Sequence, residues 1–372
     1  MVSPIEFAKP TKTEKDDCIL GVFANYGFEY PGIEQYMVSI ARSGYTGRKV
    51  LLCWNLRPDV HNMLTRWGYE LVYVDPPPRE TKVLPVNFFI HRMGVVADYL
   101  SEHYREFRDV FWLDIKDLVV QTNPSRWMQA NRKKSIVAST ECVTLEQEET
   151  NNLWIKDVCG AAAHRWLKDR EVINGGTFAG EAEIMKDVFC DVYSFIQDYD
   201  GEYPACQPAI NMILHSAKYC ERVEIPRWTE GFAACLHPMW AVGKPSHPRD
   251  LVRPYLRDVP PAFDIEKRLL YARRAIDKNS MSLKYHSSWG GKLEFTFLPK
   301  YNPRTGVELI SATEYDVPFC VVHGWDRDWN MKHIFCETYS FERLAGLTEV
   351  YQDYRQFLEK GTLGRLGRLG GL

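Results

Sequence analysis

Apolar and polar positions along this chain change period in blocks. Cys18 to Asn25 is a short apolar run of β type, and Pro31-Gly32 leads into helical spacing from Ile33 to Arg42. Lys49 to Trp54 reads as a second buried strand, Asp59 to Trp67 as a helix, and Glu70 to Val74 as a third strand closed by Asp75-Pro76-Pro77-Pro78. Helical periodicity runs from Phe88 to Phe107, and an apolar β-type run, Phe111 to Val120, follows it. Ser135 to Ser139 is another short strand, and the polar stretch Glu141 to Asn152 reads as a loop or the start of a helix. Val172 to Ala179 is a strand, Glu181 to Gln197 a long amphipathic helix, and Gln207 to Ala217 a further helix. From Arg222 to Lys300 the pattern weakens among Pro, Trp and Gly. Leu309 to Thr313 and Pro318 to Val322 read as late strands, the second ending at His323, and Phe341 to Leu358 as a C-terminal helix.

Strands alternating with helices predict βαβ units, hence an α/β fold with a mainly parallel central sheet covered by helices. In such sheets ligands bind beyond the carboxyl ends of the strands. Composition changes this picture little. The 372 residues are 45% hydrophobic and 26% charged, ordinary for a soluble globular protein. A formal charge of −3 provides no basic field for nucleic acid, and no apolar run has the length of a transmembrane segment. The ten cysteines are scattered without a CxxC pair, the pattern of thiols in a reducing compartment. That points to a cytoplasmic protein, although the soluble catalytic part of a luminal enzyme has the same pattern. Residues 1–17 read as a flexible arm, and the Gly-Arg-Leu repeats of 361–372 as a flexible tail.

The chemistry concentrates where the pattern is violated. Asp114 and Asp117 interrupt the apolar run Phe111 to Val120, and buried carboxylates are costly unless something neutralises them. A divalent cation such as Mn²⁺ or Mg²⁺ does so, taking carboxylate oxygens together with substrate phosphates. The plainer reading is an edge strand with solvated acids. In a strict strand, residues three apart point to opposite faces, so either the backbone turns at Ile115-Lys116 or only one Asp meets the metal. Lys116 between them reads as a candidate phosphate partner. His323 leaves a strand at a Gly turn, where imidazole suits Mn²⁺, and Arg327 close behind matches diphosphate geometry. In Asn174-Gly175-Gly176 the glycines suggest close approach by another backbone or a ligand, and the Asn174 amide suits sugar hydroxyls or a neighbouring carboxylate. Gln207 and Asn211 are four apart and share one helical face, with Pro208 in the first turn.

Paired Asp on a strand, then Asn-x-Gly, then x-Gln-x-x-Ile-Asn, then a strand-end His resembles the GT-A glycosyltransferases. The nearest likeness is the retaining, galactosyltransferase-like group with a DxD motif. The resemblance implies a GT-A (Rossmann-like) domain over residues 18–360, with a nucleotide-binding half of about 18–140 and an acceptor-side half of about 141–360, and a small antiparallel portion. It gives Asp114 and Asp117 the DxD role and His323 the third metal position, and it turns Asn174 and Gln207 toward the donor sugar. Asn25, Tyr26 and Arg92 lie where the family contacts the nucleotide, and Asn151 to Trp154 where acceptor-side loops occur. The expected activity is metal-dependent transfer of a hexose or pentose from a nucleoside-diphosphate sugar, UDP-sugar by default, to a glycan or other hydroxyl acceptor. An inverting enzyme needs a carboxylate base, for which Glu141 is the candidate. No base motif is evident, which favours retention. This chain departs from the family in its Asp-x-x-Asp spacing, and in Cys206 and Pro208 where acids often flank the Gln. Two alternatives stand beside this reading. A sugar nucleotidyltransferase requires a Gly-rich, Arg-containing loop after the first strand, whereas Phe23 to Phe28 reads Phe-Ala-Asn-Tyr-Gly-Phe. A non-catalytic nucleotide-sugar or carbohydrate-binding protein is made plausible by Cys206.

Overall fold

A computed structural model of the protein describes residues 12–24, 33–77, 84–226, 230–235, 297–302, 306–311, 317–325, 335–336 and 339–340. The fold is mixed α/β, with the mainly parallel sheet and flanking helices expected from the sequence. Strand β1 (Cys18–Ala24) leads through α1 (Ile33–Ser43) to β2 (Arg48–Trp54), and α2 (Pro58–Arg66) leads to β3 (Glu70–Tyr73). The long α3 (Leu84–His103) then delivers β4 (Asp109–Leu113). After β5 (Leu118–Val120) and α4 (Pro124–Asn131) come β6 (Ile136–Thr144), α5 (Glu149–Leu167), β7 (Glu171–Glu181), α6 (Ala182–Ile196), α7 (Cys206–Leu214) and β8 (Val223–Glu224). Among the described residues the large sheet has seven strands in the order β3-β2-β1-β4-β7-β6-β8. Strands β1 to β4 are mutually parallel, β7 runs antiparallel to both β4 and β6, and β8 follows β6. Every strand except β7 therefore points the same way, and their carboxyl ends share one edge.

Burial on both faces explains why these strands read as continuous apolar runs. In β4, Phe111 and Leu113 enter the core that includes Tyr36, Met37 and Ile40 of α1. The intervening Val110 and Trp112 enter a second core with Met93, Val96 and Leu100 of α3 and Val188 and Phe189 of α6. Each strand is thus a shared wall, and alternate side chains pack against opposite helical layers. No described helix is long and apolar enough to cross a membrane, and the described cysteines are free thiols.

A second, three-stranded sheet positions the site. It joins β5 to β13 (Val321–His323) and β13 to β9 (Ala233–Cys235), with Leu118 opposite His323 and His323 opposite Cys235. A separate antiparallel sheet holds β10 (Phe297–Asn302), β11 (Gly306–Ser311) and β12 (Val317–Pro318).

One open alternative is decided and two expectations need correction. The backbone does turn at Ile115-Lys116: the run Phe111 to Val120 is two strands in different sheets, broken at residues 114–117. The break is held by packing: Ile115 is buried against β1, where a Cβ on Gly21 would lie 3.1 Å from its Cδ1. The run Pro318 to Val322 is likewise divided, Val317–Pro318 pairing with β11 and Val321–His323 with β5 and β9. A proline without an N–H suits the end of a short strand, not the middle of a ladder. Glu141 to Asn152 is neither loop nor helix start at its beginning, because β6 continues through Thr144 and α5 begins only at Glu149. Polar residues persist in that strand because they pair with side chains from β7, α5 and α7. The expected helix Phe341 to Leu358 and the tail 361–372 lie outside the described residues, as does most of the arm 1–17.

Candidate functional site

Where β4 stops, the backbone turns and brings both acids of Asp-Ile-Lys-Asp to one side. The N–H of Asp114 donates to the carbonyl of Gly176 on β7 (2.9 Å), and the Asp117 carbonyl accepts from the N–H of Gly324 (2.7 Å). The turn is thereby tied to β7 on one flank and to the end of β13 on the other. His323 enters from β13, almost fully buried, with Nε2 3.2 Å from Asp117 Oδ1 and 3.7 Å from Asp114 Oδ2. One ligand atom from each of Asp114, Asp117 and His323 lies within 4.8 Å of the others.

The second nitrogen of His323 fixes its tautomer. Nδ1 lies 2.8 Å from Asn174 Oδ1, with the Thr177 hydroxyl 3.2 Å away. Asn174 donates its amide N–H to Glu141 Oε1 (3.0 Å) and accepts at Oδ1 from the N–H of Gly176 (3.0 Å), so its carbonyl oxygen must face the histidine. His323 Nδ1 is therefore the donor, and Nε2 is left to present a lone pair toward the two acids. Burial would lower the basicity of this imidazole. The Asp117 carboxylate, with help from Asp114, reverses that and holds the group well above its usual range. The field that favours a proton on Nε2 also favours a divalent cation in its place.

The donor set fits such an ion. Two carboxylates and an imidazole suit Mn²⁺-type chemistry, and the outer nitrogen is already engaged, as metal-bound histidines require. Gly176 supplies the space: a Cβ there would lie 2.5 Å from His323 Cε1 and closer still to Asp114 Oδ2. Replacing Asn174 by Leu, similar in volume but without the acceptor, is expected to weaken Mn²⁺ binding by about 10–100-fold. Calorimetric titration of the protein with Mn²⁺ measures this, and unchanged affinity would remove Asn174 from the account.

Beyond Asn174 lies a buried polar network. Glu141 Oε1 accepts from Asn174 and from Gln207 Nε2 (3.1 Å), and its Oε2 accepts from Asn151 Nδ2 (3.1 Å). Gln207 also donates to Asn151 Oδ1 (2.7 Å), while its own Oε1 accepts from the N–H of Gly175 (3.0 Å). Asn151 donates to Glu148, the N-cap residue of α5, from both its backbone and its side chain. Burial first, and then the neighbouring Glu148 carboxylate, push Glu141 up to about 7 against the opposing effect of its amide partners. Asn211, one turn after Gln207, clamps α7 to β7 by accepting from the N–H of Ile173 and donating to its carbonyl (2.8 Å each). The shared helical face read from the sequence is therefore the face turned to β7.

Arg92 of α3 completes the inner wall. It is buried, lies over the Trp112 ring at 5.5 Å, and donates to Asp114 Oδ1 (3.0 Å) and Cys206 Sγ (3.3 Å). Of the residues proposed from sequence, the structure brings together Asp114, Asp117, His323, Asn174, Gln207, Glu141 and Arg92. Lys116 is exposed on the turn between the two acids. Asn25, Tyr26 and Arg327 lie outside the described residues. Sequence reasoning missed Thr177 and Glu148. Thr177 carried no signal. Glu148 stands three residues before Asn151, a spacing that suits a cap. Asn151, which the resemblance places where acceptor-side loops occur, sits in the first turn of α5, inside the network.

No protein-family model matches this chain, and no curated protein does. Among solved structures, the galactosyltransferase LgtC in complex with donor and acceptor sugar analogs aligns with 87% of this chain and 95% of its own length. The identity is 13% and the TM-score 0.45. A likeness of that size carries no conclusion about activity, which has to come from the site.

Proposed function

We propose that this protein is a glycosyltransferase that moves a sugar from a nucleoside-diphosphate sugar, a UDP-sugar by preference, to a hydroxyl acceptor such as a glycan. The observation that carries the reading is the convergence of Asp114, Asp117 and a tautomer-fixed His323 beyond the carboxyl end of β4, the edge at which open α/β sheets bind ligands. Bound by those residues, a divalent cation of the Mn²⁺ or Mg²⁺ type would neutralise the charge that develops on a departing diphosphate. Lys116, exposed on the same turn, offers an ammonium to phosphate oxygens. Arg92 holds Asp114 in place from behind. Asn174 and Gln207 line the wall beside the metal corner, where amides suit sugar hydroxyls. Asn25, Tyr26 and Arg327 are assigned to the nucleotide and its phosphates on sequence alone. Residues 18–360 form the catalytic unit in this reading.

Glu141 is buried and both its oxygens already accept from amides, which supports retention over a mechanism that needs Glu141 as base. Retention uses Gln207 and Asn174 beside the sugar, with the leaving phosphate taking the acceptor proton. The same observations, with Cys206 where an acid often stands, also suit a nucleotide-sugar binder without turnover. Hydrolysis of a panel of nucleotide sugars with Mn²⁺ and with chelator separates the two. Slow Mn²⁺-dependent release of the nucleoside diphosphate from one donor is the expected result. Donor-dependent thermal shifts without release mean a binder, and neither response sinks the assignment.

A further inference from the structure

We propose that Glu141 is a positioning residue whose ionised carboxylate sets the orientation of the three site amides, Asn174, Gln207 and Asn151, as one unit. An ionised carboxylate only accepts hydrogen bonds, so each amide that meets it must turn its N–H inward and its carbonyl oxygen outward. The outward oxygens are then committed: Asn174 to His323 and the Gly176 N–H, Gln207 to the Gly175 N–H, and Asn151 to Gln207. Every donor in the set faces an acceptor, so the network is complete only in this one arrangement.

A proton on Glu141 breaks it, because Asn151, Asn174 and Gln207 all present N–H groups to that carboxyl. Turning the Asn151 amide to accept that proton would set its carbonyl oxygen against Glu148 and its N–H against the N–H of Gln207. One protonation therefore disturbs all of the amides that flank the proposed sugar position. The charged groups facing Glu141 are Glu148 at the start of α5, which opposes its ionisation, and His323 on β13, which favours it. From β7 and α7 it meets the neutral amides of Asn174 and Gln207. With burial added, the balance puts the proton within reach of ordinary working pH. The kinetic part of this inference rests on the glycosyltransferase reading. The structural part does not.

Two measurements on the full chain test it. In protein labelled with ¹⁵N at Asn and Gln, without metal or substrate, the side-chain amide signals of Asn174, Gln207 and Asn151 are expected to shift together around one midpoint near 7. In Glu141→Gln that common step is expected to vanish. With the donor identified by hydrolysis and Mn²⁺ present, kcat of the unmodified protein is expected to rise up to tenfold from pH 6 to pH 8, in keeping with a single ionisation. Glu141→Gln is expected to have a flat profile and a kcat about 100-fold lower at pH 8, with donor KM changed by less than about threefold. Amide signals that titrate separately, or that still titrate together in Glu141→Gln, overturn the proposal, as does a variant kcat within threefold of the original. Absence of turnover in the unmodified protein counts against the glycosyltransferase reading alone, because the amide titration is read without any substrate.

Discussion

Asp117→Asn is expected to abolish most metal-dependent turnover, with a fall of about 10³-fold, and to weaken Mn²⁺ binding by at least about 100-fold. The substitution keeps the side-chain volume and leaves an oxygen near its original place, but removes the charge closest to His323 Nε2. Asp117 is the better choice for this test than Asp114. It is more deeply buried, it approaches His323 more closely at 3.2 Å, and Asp114 is already shared with Arg92. Its backbone carbonyl still accepts from Gly324, so the link between the turn and β13 survives and the fold should persist. Circular dichroism and urea unfolding check that. Raising Mn²⁺ should restore part of the rate if the lesion is one of affinity. Turnover within tenfold of the original at the same Mn²⁺ would falsify the metal assignment.

Gly176→Ala is expected to be as damaging by a purely steric route. The added methyl would point into the space between Asp114 and His323, 2.5 Å from His323 Cε1. Neither neighbour can retreat easily. His323 is buried and held at Nδ1 by Asn174, and Asp114 is held by Arg92 and by its own backbone bond to Gly176. Overpacking of this kind typically costs about 1–3 kcal/mol in stability, and the displaced ligands should lower Mn²⁺ affinity by more than about 100-fold. Gly175→Ala is the matched control, because its methyl would meet Gln207 Cβ at 3.2 Å, tight but away from the metal corner. Denaturant midpoints and Mn²⁺ titrations on both variants separate the effects. If Gly176→Ala binds Mn²⁺ as the unmodified protein does, the three ligand residues do not converge as described.

Much of the scaffold was readable from hydrophobic pattern because its physical cause is local. Cys18–Ala24 is an apolar run, Arg48–Trp54 is apolar after its first two residues, and α6 has one apolar stripe at helical spacing. The errors fall where a partner distant in sequence decides the outcome. Glu141 looked like loop because a charged residue in a strand is unfavourable on its own. Amides from β7, α5 and α7 make it tolerable. Within Phe111 to Val120 the sequence leaves two alternatives, a turn at Ile115-Lys116 or a single Asp on the metal, because nothing local chooses between them. The kink depends on Ile115 packing at Gly21 and on backbone bonds to Gly176 and Gly324.

The sequence by itself determined the α/β class, the order of the main strands and helices, and the residue types able to hold a cation. Those follow from periodicity and from the cost of placing polar groups in apolar runs, both of which act over a few residues. Only the tertiary structure decided that both Asp114 and Asp117 face the same point. Their three-residue spacing forbids this in a straight strand, and the turn permits it. It also decided that His323 presents Nε2, because that choice belongs to Asn174 and, behind it, to Glu141. Contacts across 149 and 33 residues of chain have no local signature, since the hydrogen-bonding group that settles each orientation lies on another strand.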